Sequence, residues 1–330
     1  MFPVLLNVSI GGCRPFPALS LSGRALALSW WKNTALAYIH HVDQLMESWA
    51  LNESILRSIC CSPDVAKSIA AHGVDVERLR IHAPIEPRQI YCSIGNYRSQ
   101  VLEAAADAGD GATGPGADAR RTAASTMLDL RRRHGRPYVC VKPASSLADP
   151  FSNMPLASDE ETLDWEVEVG VVIGRTAWQV RPADALRHVA GYCVVNDITL
   201  RDRVFRADPP LLGTDWLQSK GGPGWLPVGP WLVPSWNVSD VTALRPWLKL
   251  NGTTMQDGCS DDMVFGIAEQ ISYLSQHTRL HPGDLLCTGS PAGFGSHHRR
   301  YLAVGDVVEA GAPGLGTQRI TCVAEVPAFH

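Results

Sequence analysis

The sequence contains no apolar run that approaches the roughly 20 residues of a membrane-spanning helix. It also lacks a basic excess, because 29 lysine and arginine residues face 33 aspartate and glutamate residues. A nucleic-acid-binding surface needs such an excess on one face, so we expect no nucleic-acid partner. No basic residue precedes the mildly apolar start of the chain, which argues against a signal peptide. These absences exclude membrane spans and nucleic-acid binding from the expected functions.

The cysteine pattern also lacks the motifs of zinc sites and of dithiol redox sites. The nine cysteines are an odd number and form no Cys-x-x-Cys pair, so the pattern indicates neither a zinc site nor a dithiol redox site. Most of them lie among apolar residues, as free buried thiols do in a reducing compartment. We therefore predict a cytoplasmic protein.

The 330 residues are enough for one large domain or two smaller ones. With 45% hydrophobic and 19% charged residues, the composition is that of a globular enzyme. We place a small N-terminal α+β domain at residues 1–85 and a catalytic domain at residues 86–330. In the first, Ser22-Gly23-Arg24 predicts a hairpin turn, and a helix is expected from about Pro63 to just before Gly73.

A segment at about residues 104–136 interrupts the second domain. It is rich in alanine, glycine, aspartate and arginine, with Gly109, Gly111, Gly114, Pro115 and Gly116 close together. Such a composition buries little apolar surface, so we predict a mobile loop that can fold over a site.

From about residue 138 onward the sequence is dense in strand signals. β-branched residues dominate two runs, at 167–173 and 194–198, and helices fit only 182–190 and 267–275. Many short strands joined by glycine and proline turns predict an α+β fold that is mainly β.

Acidic residues stand at two predicted strand ends. Residues two apart in a strand share a face, so Glu166 and Glu168 project together. Like charges at this spacing repel unless a cation lies between them. Asp197 follows a second apolar strand and can supply a third oxygen ligand, a set that suits Mg²⁺, Mn²⁺ or Ca²⁺. On spacing alone, two solvated carboxylates on a half-exposed strand are the alternative interpretation.

Short motifs follow one another in a fixed order from about residue 81 to the C-terminus. They are Ile90-Tyr91-Cys92-Ser93-Ile94-Gly95-Asn96-Tyr97, Lys142-Pro143-Ala144, Glu166-Val167-Glu168, Asn196-Asp197, Arg201-Asp202, Lys220, Gln256-Asp257-Gly258, Thr288-Gly289-Ser290-Pro291 and Gly305-Asp306. Each motif is weak alone, but the ordered set is specific. With it, the chain resembles the fumarylacetoacetate hydrolase superfamily, in its acylpyruvase and 2-oxo-hepta-ene-dioate isomerase-like branch.

The resemblance implies a fold, a metal and a set of site residues. The implied fold is a mixed β-sandwich roll with a smaller N-terminal domain, and members often form homodimers. Glu166, Glu168 and Asp197 correspond to the ligands of Mg²⁺ or Mn²⁺, with Ca²⁺ possible. Lys220 corresponds to the active-site lysine and Arg201 to the arginine after the metal aspartate. Positions expected to contact substrate are Tyr97, Lys142, Gln256, Thr288, Ser290 and Trp225, the last of which also suits a core.

The substrates implied by the resemblance are 2,4-dioxo acids such as acylpyruvates. A metal can chelate the carboxylate and 2-oxo oxygens of such an acid and stabilise the enolate that is released when the C3–C4 bond breaks. Lys220 and Arg201 can stabilise the charge that builds on the C4 oxygen when water attacks. The sequence therefore predicts a hydrolase that cleaves a carbon–carbon bond.

The helix that follows Tyr97 departs from the family pattern. Family hydrolases often carry His-x-x-Glu there, but this chain keeps Glu103 and has Gln100 at the histidine position. An amide cannot take a proton from water. Three interpretations stay open. Glu103 acts as the base with Gln100 orienting the water, or the reaction is a decarboxylation, dehydration or tautomerisation that needs no such base, or the protein binds metal with weak or lost catalysis.

Other histidines and the acyl pocket complete the expectations. His134 in the predicted loop can in principle substitute for the missing histidine, although a surface position is the simpler interpretation. The pair His297-His298 lacks ligand spacing to the acidic residues, and we predict that both are surface or core residues. Val204 and the glycine-rich run after Lys220 also depart from the family pattern and are expected to reshape the acyl pocket.

Overall fold

The computed structural model describes residues 2–108, 113–114, 116–157 and 162–325. Helices and strands are mixed along the whole of this chain, so the predicted α+β class is confirmed. Within the described residues, no helix is both long and apolar enough to cross a membrane.

The N-terminal part is an antiparallel sheet with three helices. In space the strands follow the order β4-β3-β2-β1-β5. The β2–β3 hairpin turns at Ser22 and Gly23, both at positive φ, as the right-handed twist of paired strands favours. The elements are β1 (Val4–Ser9), β2 (Phe16–Leu21), β3 (Arg24–Ala27), β4 (Val74–Asp75), β5 (Arg80–His82), α1 (Val42–Glu47), α2 (Trp49–Cys61) and α3 (Val65–His72). The predicted hairpin is confirmed, and the predicted helix begins two residues late, at Val65.

A six-stranded sheet lies at the centre of the molecule. Its spatial order is β15-β12-β11-β18-β6-β7, and all neighbours are antiparallel except β18 and β6. Its strands are β6 (Ile90–Ser93), β7 (Val139–Lys142), β11 (Val167–Ile173), β12 (Val189–Asn196), β15 (Val233–Pro234) and β18 (Leu285–Cys287). Every residue of β11 and β12 is buried, which explains their nearly continuous apolar sequence.

A five-stranded sheet, which we call the C-terminal sheet because four of its strands come from the C-terminal half, covers one face of the central sheet. It has the order β17-β16-β19-β20-β9. Its strands are β9 (Asn153–Leu156), β16 (Trp247–Leu250), β17 (Thr253–Asp257), β19 (Val307–Ala312) and β20 (Gly316–Ala324). Two short pairs join the layers, namely β8 (Leu147–Ala148) with β14 (Leu226–Pro227), and β10 (Leu163–Asp164) with β13 (Thr199–Leu200).

Two apolar cores lie on opposite faces of the central sheet. Val167, Val169 and Val171 of β11 point into the main core, which the C-terminal sheet completes with Leu248 and Ile320. On the other face, Val172 and the buried cysteines of the sheet pack against N-terminal side chains. The central sheet is therefore the middle layer, and its strand ends carry the groups of the candidate site. The boundary near residue 85 stays a prediction.

Most of the described part of the segment predicted as a mobile loop at 104–136 is helical. The helices are α4 (Arg98–Asp107) and α5 (Ala117–His134), and they pack against each other. Ala117, Ala124 and Leu128 are the buried residues of α5, at the spacing of one helix face. The loop prediction is therefore wrong for this part. Gly109, Gly111 and Pro115 lie outside the described residues.

The remaining helices are short or pack at the edge of the main core. They are α6 (Pro182–Ala185), α7 (Trp216–Lys220), α8 (Ile267–His277) and α9 (Gly295–His298). α8 buries Ile267, Ile271 and Leu274, as the predicted helix there requires. The helix predicted at 182–190 ends earlier, because the chain enters β12 at Val189.

A polar link connects the N-terminal sheet to the rest of the chain. Ser9 Oγ lies 2.8 Å from His82 Nε2, and His82 Nδ1 lies 3.0 Å from Asp149 Oδ2. The other oxygen of Asp149 accepts a hydrogen bond from the Ala83 amide at 3.0 Å. Ser9 is buried, so this serine–histidine–aspartate arrangement holds the layers together rather than presenting a nucleophile to solvent.

Candidate metal centre and active site

Three carboxylates converge at the ends of β11 and β12. Glu166 directly precedes β11, Glu168 is its second residue, and Asp197 directly follows β12. The two strands pair so that Glu168 is opposite Val195, and the Asp197 amide donates to the Glu166 carbonyl at 2.9 Å. One carboxylate oxygen from each residue lies within 4.8 Å of the others. The alternation predicted from the sequence thus gathers three oxygens at one point.

These carboxylates are not solvated side chains on a half-exposed strand. Glu166 is 7% exposed, Glu168 1% and Asp197 0%. Burying charge in this way is unfavourable unless each group is paired or binds a metal. The alternative interpretation from the sequence is therefore wrong.

Two lysines share the Asp197 carboxylate. Lys142 Nζ donates to Oδ1 at 2.7 Å and Lys220 Nζ to Oδ2 at 2.6 Å. Lys220 also reaches Glu166 Oε2 at 3.4 Å and the Thr199 hydroxyl at 2.7 Å. Although burial opposes it, the two ammonium groups hold the pKa of Asp197 below its ordinary value. Both lysines, predicted from the sequence, therefore belong to the charged cluster.

Arg201 links Glu166 of the cluster to Asp164, which lies two residues earlier in the chain. Its guanidinium donates to Asp164 at 2.8 Å and contacts Glu166 Oε1 at 2.7 Å. The same group lies over the Phe294 ring, 4.4 Å from its centroid. Asp164 is held in turn by the amides of Gly295 and Ser296. Arg201 is thus anchored on one side and open to the cavity on the other.

The residues present fit a divalent cation. Within the described residues, Glu168 Oε1 is buried without a hydrogen-bond partner, while Oε2 accepts from the Gly289 amide at 2.7 Å. Burial and the charges of Asp197 and Glu166 raise the pKa of Glu168 well above its ordinary value. Four carboxylates, counting Asp164, face three cationic side chains. An orphaned oxygen and an excess negative charge are what a hard cation satisfies.

A cavity of about 270 Å³ opens over this cluster. We call the buried charged residues Glu166, Glu168, Asp197, Lys142 and Lys220 the floor, although only Glu166 and Lys220 line the cavity directly. The rim comprises the uncharged residues that line its walls. As far as the described chain forms it, the rim consists of Ser93, Ile94, Gly95, Gln100, Val101, Ala104, Val204, Phe205, Trp216, Ser290 and Phe294. Arg201 lines the cavity between the two.

The structure places the predicted substrate contacts in different settings. Ser290 lines the cavity, and its hydroxyl accepts from Gln256 Nε2 at 2.8 Å. Thr288 Oγ1 donates to the Val169 carbonyl at 3.0 Å and so supports the turn that carries Gly289. Tyr97 is fully buried, and burial raises its pKa well above the ordinary value. Gln256 and Thr288 thus support the site by hydrogen bonds from outside the cavity lining.

Trp225 and Glu103 also lie outside the cavity lining. Trp225 packs against the main core, and the tryptophan in the lining is Trp216, which the sequence reasoning missed. Glu103 accepts a hydrogen bond from the Gly293 amide at 2.8 Å and sits beside the wall. Gln100, one turn earlier on α4, is in the wall itself. The pocket role expected for Trp225 is therefore not supported, since its packing is that of a core residue.

His297 is a further residue for which the sequence predicted no role in the site. It was expected to be a surface or core residue, but its Nδ1 lies 2.7 Å from Asp107 Oδ2 and its Nε2 lies 3.6 Å from Glu103 Oε2. No spacing signal links residue 297 to residue 103, because the contact depends on how α9 meets α4.

The fold and site define a mixed sheet sandwich that carries a buried carboxylate cluster suited to a divalent cation. Residues 89–323 match the C-terminal domain of fumarylacetoacetate (FAA) hydrolase, and the chain belongs to this family. A relative at 43% identity over 186 residues is the 2,4-didehydro-3-deoxy-L-rhamnonate hydrolase of Sphingomonas sp. strain SKA58. That alignment covers 56% of this chain and 64% of the relative, so the chain spans less than two thirds of that relative's length.

Solved structures share the fold over nearly the whole chain. Maleylpyruvate hydrolase from Sphingobium sp. SYK-6, solved with manganese(II) and pyruvate, has a TM-score of 0.71 at 20% identity, covering 98% of this chain and 100% of its own. The 2-hydroxyhepta-2,4-diene-1,7-dioate isomerase of Mycobacterium marinum has a TM-score of 0.67 at 20% identity, covering 99% and 100%. The same architecture therefore serves both hydrolases and isomerases.

Proposed function

We propose that the protein is a metal-dependent hydrolase that cleaves the C3–C4 bond of a 2,4-dioxo acid with an uncharged acyl group. The observation that carries the proposal is the floor, where three buried carboxylates converge and Glu168 Oε1 has no partner among the described residues. The name of the Sphingomonas relative's substrate, an acid oxidised at positions 2 and 4, supports this substrate class.

Glu166, Glu168 and Asp197 would hold Mg²⁺ or Mn²⁺, with Ca²⁺ a further candidate. When bound, the cation supplies two chelation positions for the 2-oxo carboxylate and Lewis-acid stabilisation of the enolate. The Mn²⁺ and pyruvate in the Sphingobium hydrolase structure are consistent with this arrangement.

The chain's own residues orient the rest of the substrate. Lys220 Nζ, fixed by Asp197 and Thr199, faces the cavity and can donate to the C4 oxygen as charge develops there. Arg201 lines the cavity beside it and adds a second cation. Gln100 in the wall can orient the attacking water, and Glu103 beside it is the nearest carboxylate on α4 to take the proton.

The apolar composition of the rim indicates which kind of acyl group the substrate carries. Val101, Val204, Phe205, Trp216 and Phe294 give the outer cavity an apolar wall. In the described lining, Arg201 and Lys220 are the cationic side chains, and both are already paired with carboxylates of the floor. A second carboxylate on the substrate would find no free partner there, so an aliphatic or aromatic acyl group fits better.

The test is a screen of acylpyruvates with added Mn²⁺ or Mg²⁺, followed by ultraviolet absorbance and mass spectrometry. We expect stoichiometric pyruvate and a carboxylic acid, with apolar acyl groups preferred over one that ends in a carboxylate. The Glu168→Gln variant should show no turnover and no Mn²⁺ binding. Metal-dependent binding of oxalate without any turnover would contradict the hydrolase and support a catalytically weak metal-binding protein.

A second candidate is a decarboxylase, hydratase or isomerase acting on a related oxo acid. The observation that favours it is the cavity wall, where the lining residue from the α4 motif is the amide Gln100, while Glu103 lies outside the lining. Decarboxylation, isomerisation and the dehydration direction of a hydratase do not activate water, so they need no such base at that position. Release of carbon dioxide, or a product that retains every carbon, would identify this class.

We also propose that the protein is a homodimer. Phe205, Leu211, Leu212 and Leu217 are exposed apolar side chains on one segment next to the rim, and Leu211 is 97% exposed. Such a patch on a monomer marks an interaction surface. Light scattering after size-exclusion chromatography should give twice the 35.8 kDa chain mass, and Leu211→Glu should shift the protein toward monomer. A monomeric wild type would exclude the proposal.

All nine cysteines are free, and five of them are buried. Unpaired thiols in this number suit a reducing compartment, so we propose that the protein works in the cytoplasm. Fractionation of the producing cells tests this, and recovery outside the cytoplasm would contradict it.

A further inference from the structure

A histidine and two carboxylates meet beside the cavity, on two separate elements. His297 belongs to α9, whereas Glu103 and Asp107 lie one turn apart on α4. His297 Nδ1 lies 2.7 Å from Asp107 Oδ2, and its Nε2 lies 3.6 Å from Glu103 Oε2. Each ring nitrogen therefore has its own carboxylate. We call these three residues the His297 cluster.

The His297 cluster joins two walls of the cavity. α4 contributes Gln100 and Val101 to the rim, and the chain just before α9 contributes Ser290 and Phe294. Glu103 ties these walls together a second time, because its Oε1 accepts from the Gly293 amide at 2.8 Å. The position of the Glu103 carboxylate is thus fixed from the C-terminal segment rather than from its own helix.

The contacts within the cluster fix the orientation of the His297 imidazole ring. The short contact with Asp107 orients the imidazole ring, so that Nε2 faces Glu103. The Glu103 side chain keeps 19% of its surface exposed, so water reaches it. A carboxylate held by an oriented imidazole and an amide, yet still open to water, is arranged to receive a proton at Oε2.

We propose that His297, oriented by Asp107, is a positioning residue for Glu103 in the water-activation step. The inference rests on the proposed hydrolase function. In that step a water proton passes to Glu103 Oε2 while the water oxygen bonds to C4. The C3–C4 bond then breaks, its electron pair stays with C3 as the enolate, and C4 leaves as a carboxylic acid. The proton held by Glu103 passes to C3 and completes the oxo acid. A histidine from the C-terminal segment thereby serves α4, which has Gln100 where a histidine would stand one turn from Glu103.

The experiment compares His297→Ala with His298→Ala in the Mn²⁺-loaded enzyme. The two histidines are neighbours, with ring centroids 5.0 Å apart, but within the described residues it is His297 that contacts the carboxylates of α4. We expect His297→Ala to lower kcat about 10- to 100-fold with KM nearly unchanged, because a base out of position loses part of its contribution. The His298→Ala variant should retain wild-type kcat.

A second variant separates positioning from simple structural support. The double variant Gln100→His with His297→Ala places an imidazole one turn before Glu103 on the same helix, and it should recover most of the lost kcat. If His297→Ala fails to fold, Asp107→Asn removes the orienting contact instead, and its kcat should fall while Mn²⁺ binding persists. An unchanged kcat in His297→Ala, or equal losses in His297→Ala and His298→Ala, would overturn the proposal.

A readout without turnover keeps the two proposals distinguishable. If wild-type protein converts no acylpyruvate, the proposed function fails, and the contact itself is then tested by ¹⁵N-histidine NMR of the full chain. Glu103→Gln should shift the Nε2 signal of His297 and leave that of His298 in place. If the His297 signal does not respond, His297 does not act on Glu103 and the inference is wrong.

Discussion

The floor and the rim of the cavity are built in different ways. Every floor residue is at most 7% exposed and pairs with another floor residue or a backbone amide, whereas the rim includes Phe205 at 74% exposed. The floor comes from strand ends and one short helix. Apart from Ser93 at the end of β6, the rim comes from helix faces and connecting segments. In the proposed hydrolase, the floor would therefore fix the type of chemistry, and the rim would decide which substrate enters the cavity.

The largest effect on turnover should come from replacing a charged carboxylate of the floor with a neutral amide. Glu168→Gln removes the charge whose Oε1 has no partner among the described residues, and we expect turnover to fall at least about 10³-fold, since a metal supplies several kcal/mol of charge stabilisation. Calorimetric titration with Mn²⁺ should show no binding. Asp202→Asn is the matched control, because this exposed carboxylate bonds to Thr162 and lies outside the floor. Normal Mn²⁺ affinity in Glu168→Gln would remove the basis for the floor as a metal site.

The floor was largely predictable from the sequence, for a physical reason. Alternation along β11 places Glu166 and Glu168 on one face whatever the loops do, and an apolar strand that ends in Asp197 brings the third oxygen to the same edge. Lys220 and Arg201 followed from family resemblance rather than from spacing. The structure adds their pairing with Asp197 and with Asp164 and Glu166.

The rim was not predictable in the same way. Trp216 rather than Trp225 enters the lining because of how α7 packs against β7, a contact between elements far apart in the chain. The helix α5 was missed because its glycine-rich approach suggested a loop, although Ala117, Ala124 and Leu128 carried a weak helical spacing. His297 was missed because only the folded chain brings α9 to α4.

A smaller effect should separate the two lysines that share Asp197. Lys220 lines the cavity, so Lys220→Met should lower kcat about 10²- to 10³-fold, as loss of an oxyanion donor does. Lys142 is 1% exposed, lies outside the described lining and donates also to the Ile198 carbonyl. Lys142→Met should instead destabilise the fold by about 3 kcal/mol, as breaking a buried pair does. Urea unfolding and steady-state kinetics of both variants measure this division, and a raised KM in Lys142→Met would restore its predicted role in substrate binding.

Substitutions in the rim should change the preference among substrates rather than the chemical step. Trp216→Ala enlarges the outer cavity, and we expect kcat/KM for an acylpyruvate with a large apolar acyl group to fall about 10-fold relative to acetylpyruvate. Trp225→Ala removes a tryptophan packed on the main core, so it should cost about 3 kcal/mol of stability without changing the ratio. Competition between the two substrates, with thermal unfolding alongside, distinguishes the outcomes. A change of preference in Trp225→Ala alone would reverse the assignment of the two tryptophans.

The smallest effect tests whether the polar link of the N-terminal sheet has any part in the chemistry. Ser9, His82 and Asp149 have hydrogen-bond distances that a nucleophilic triad would share, but Ser9 is 4% exposed and Asp149 also bonds to the Ala83 amide. Ser9→Ala should therefore cost about 1 kcal/mol, the contribution of one hydrogen bond, and leave turnover at the metal site unchanged. Ser54→Ala is the control, since this exposed hydroxyl bonds only within α2 among the contacts described. Covalent labelling of Ser9 by a fluorophosphonate would show instead that the hydroxyl is accessible and reactive. Burial would then no longer be a reason to assign this link a purely structural role.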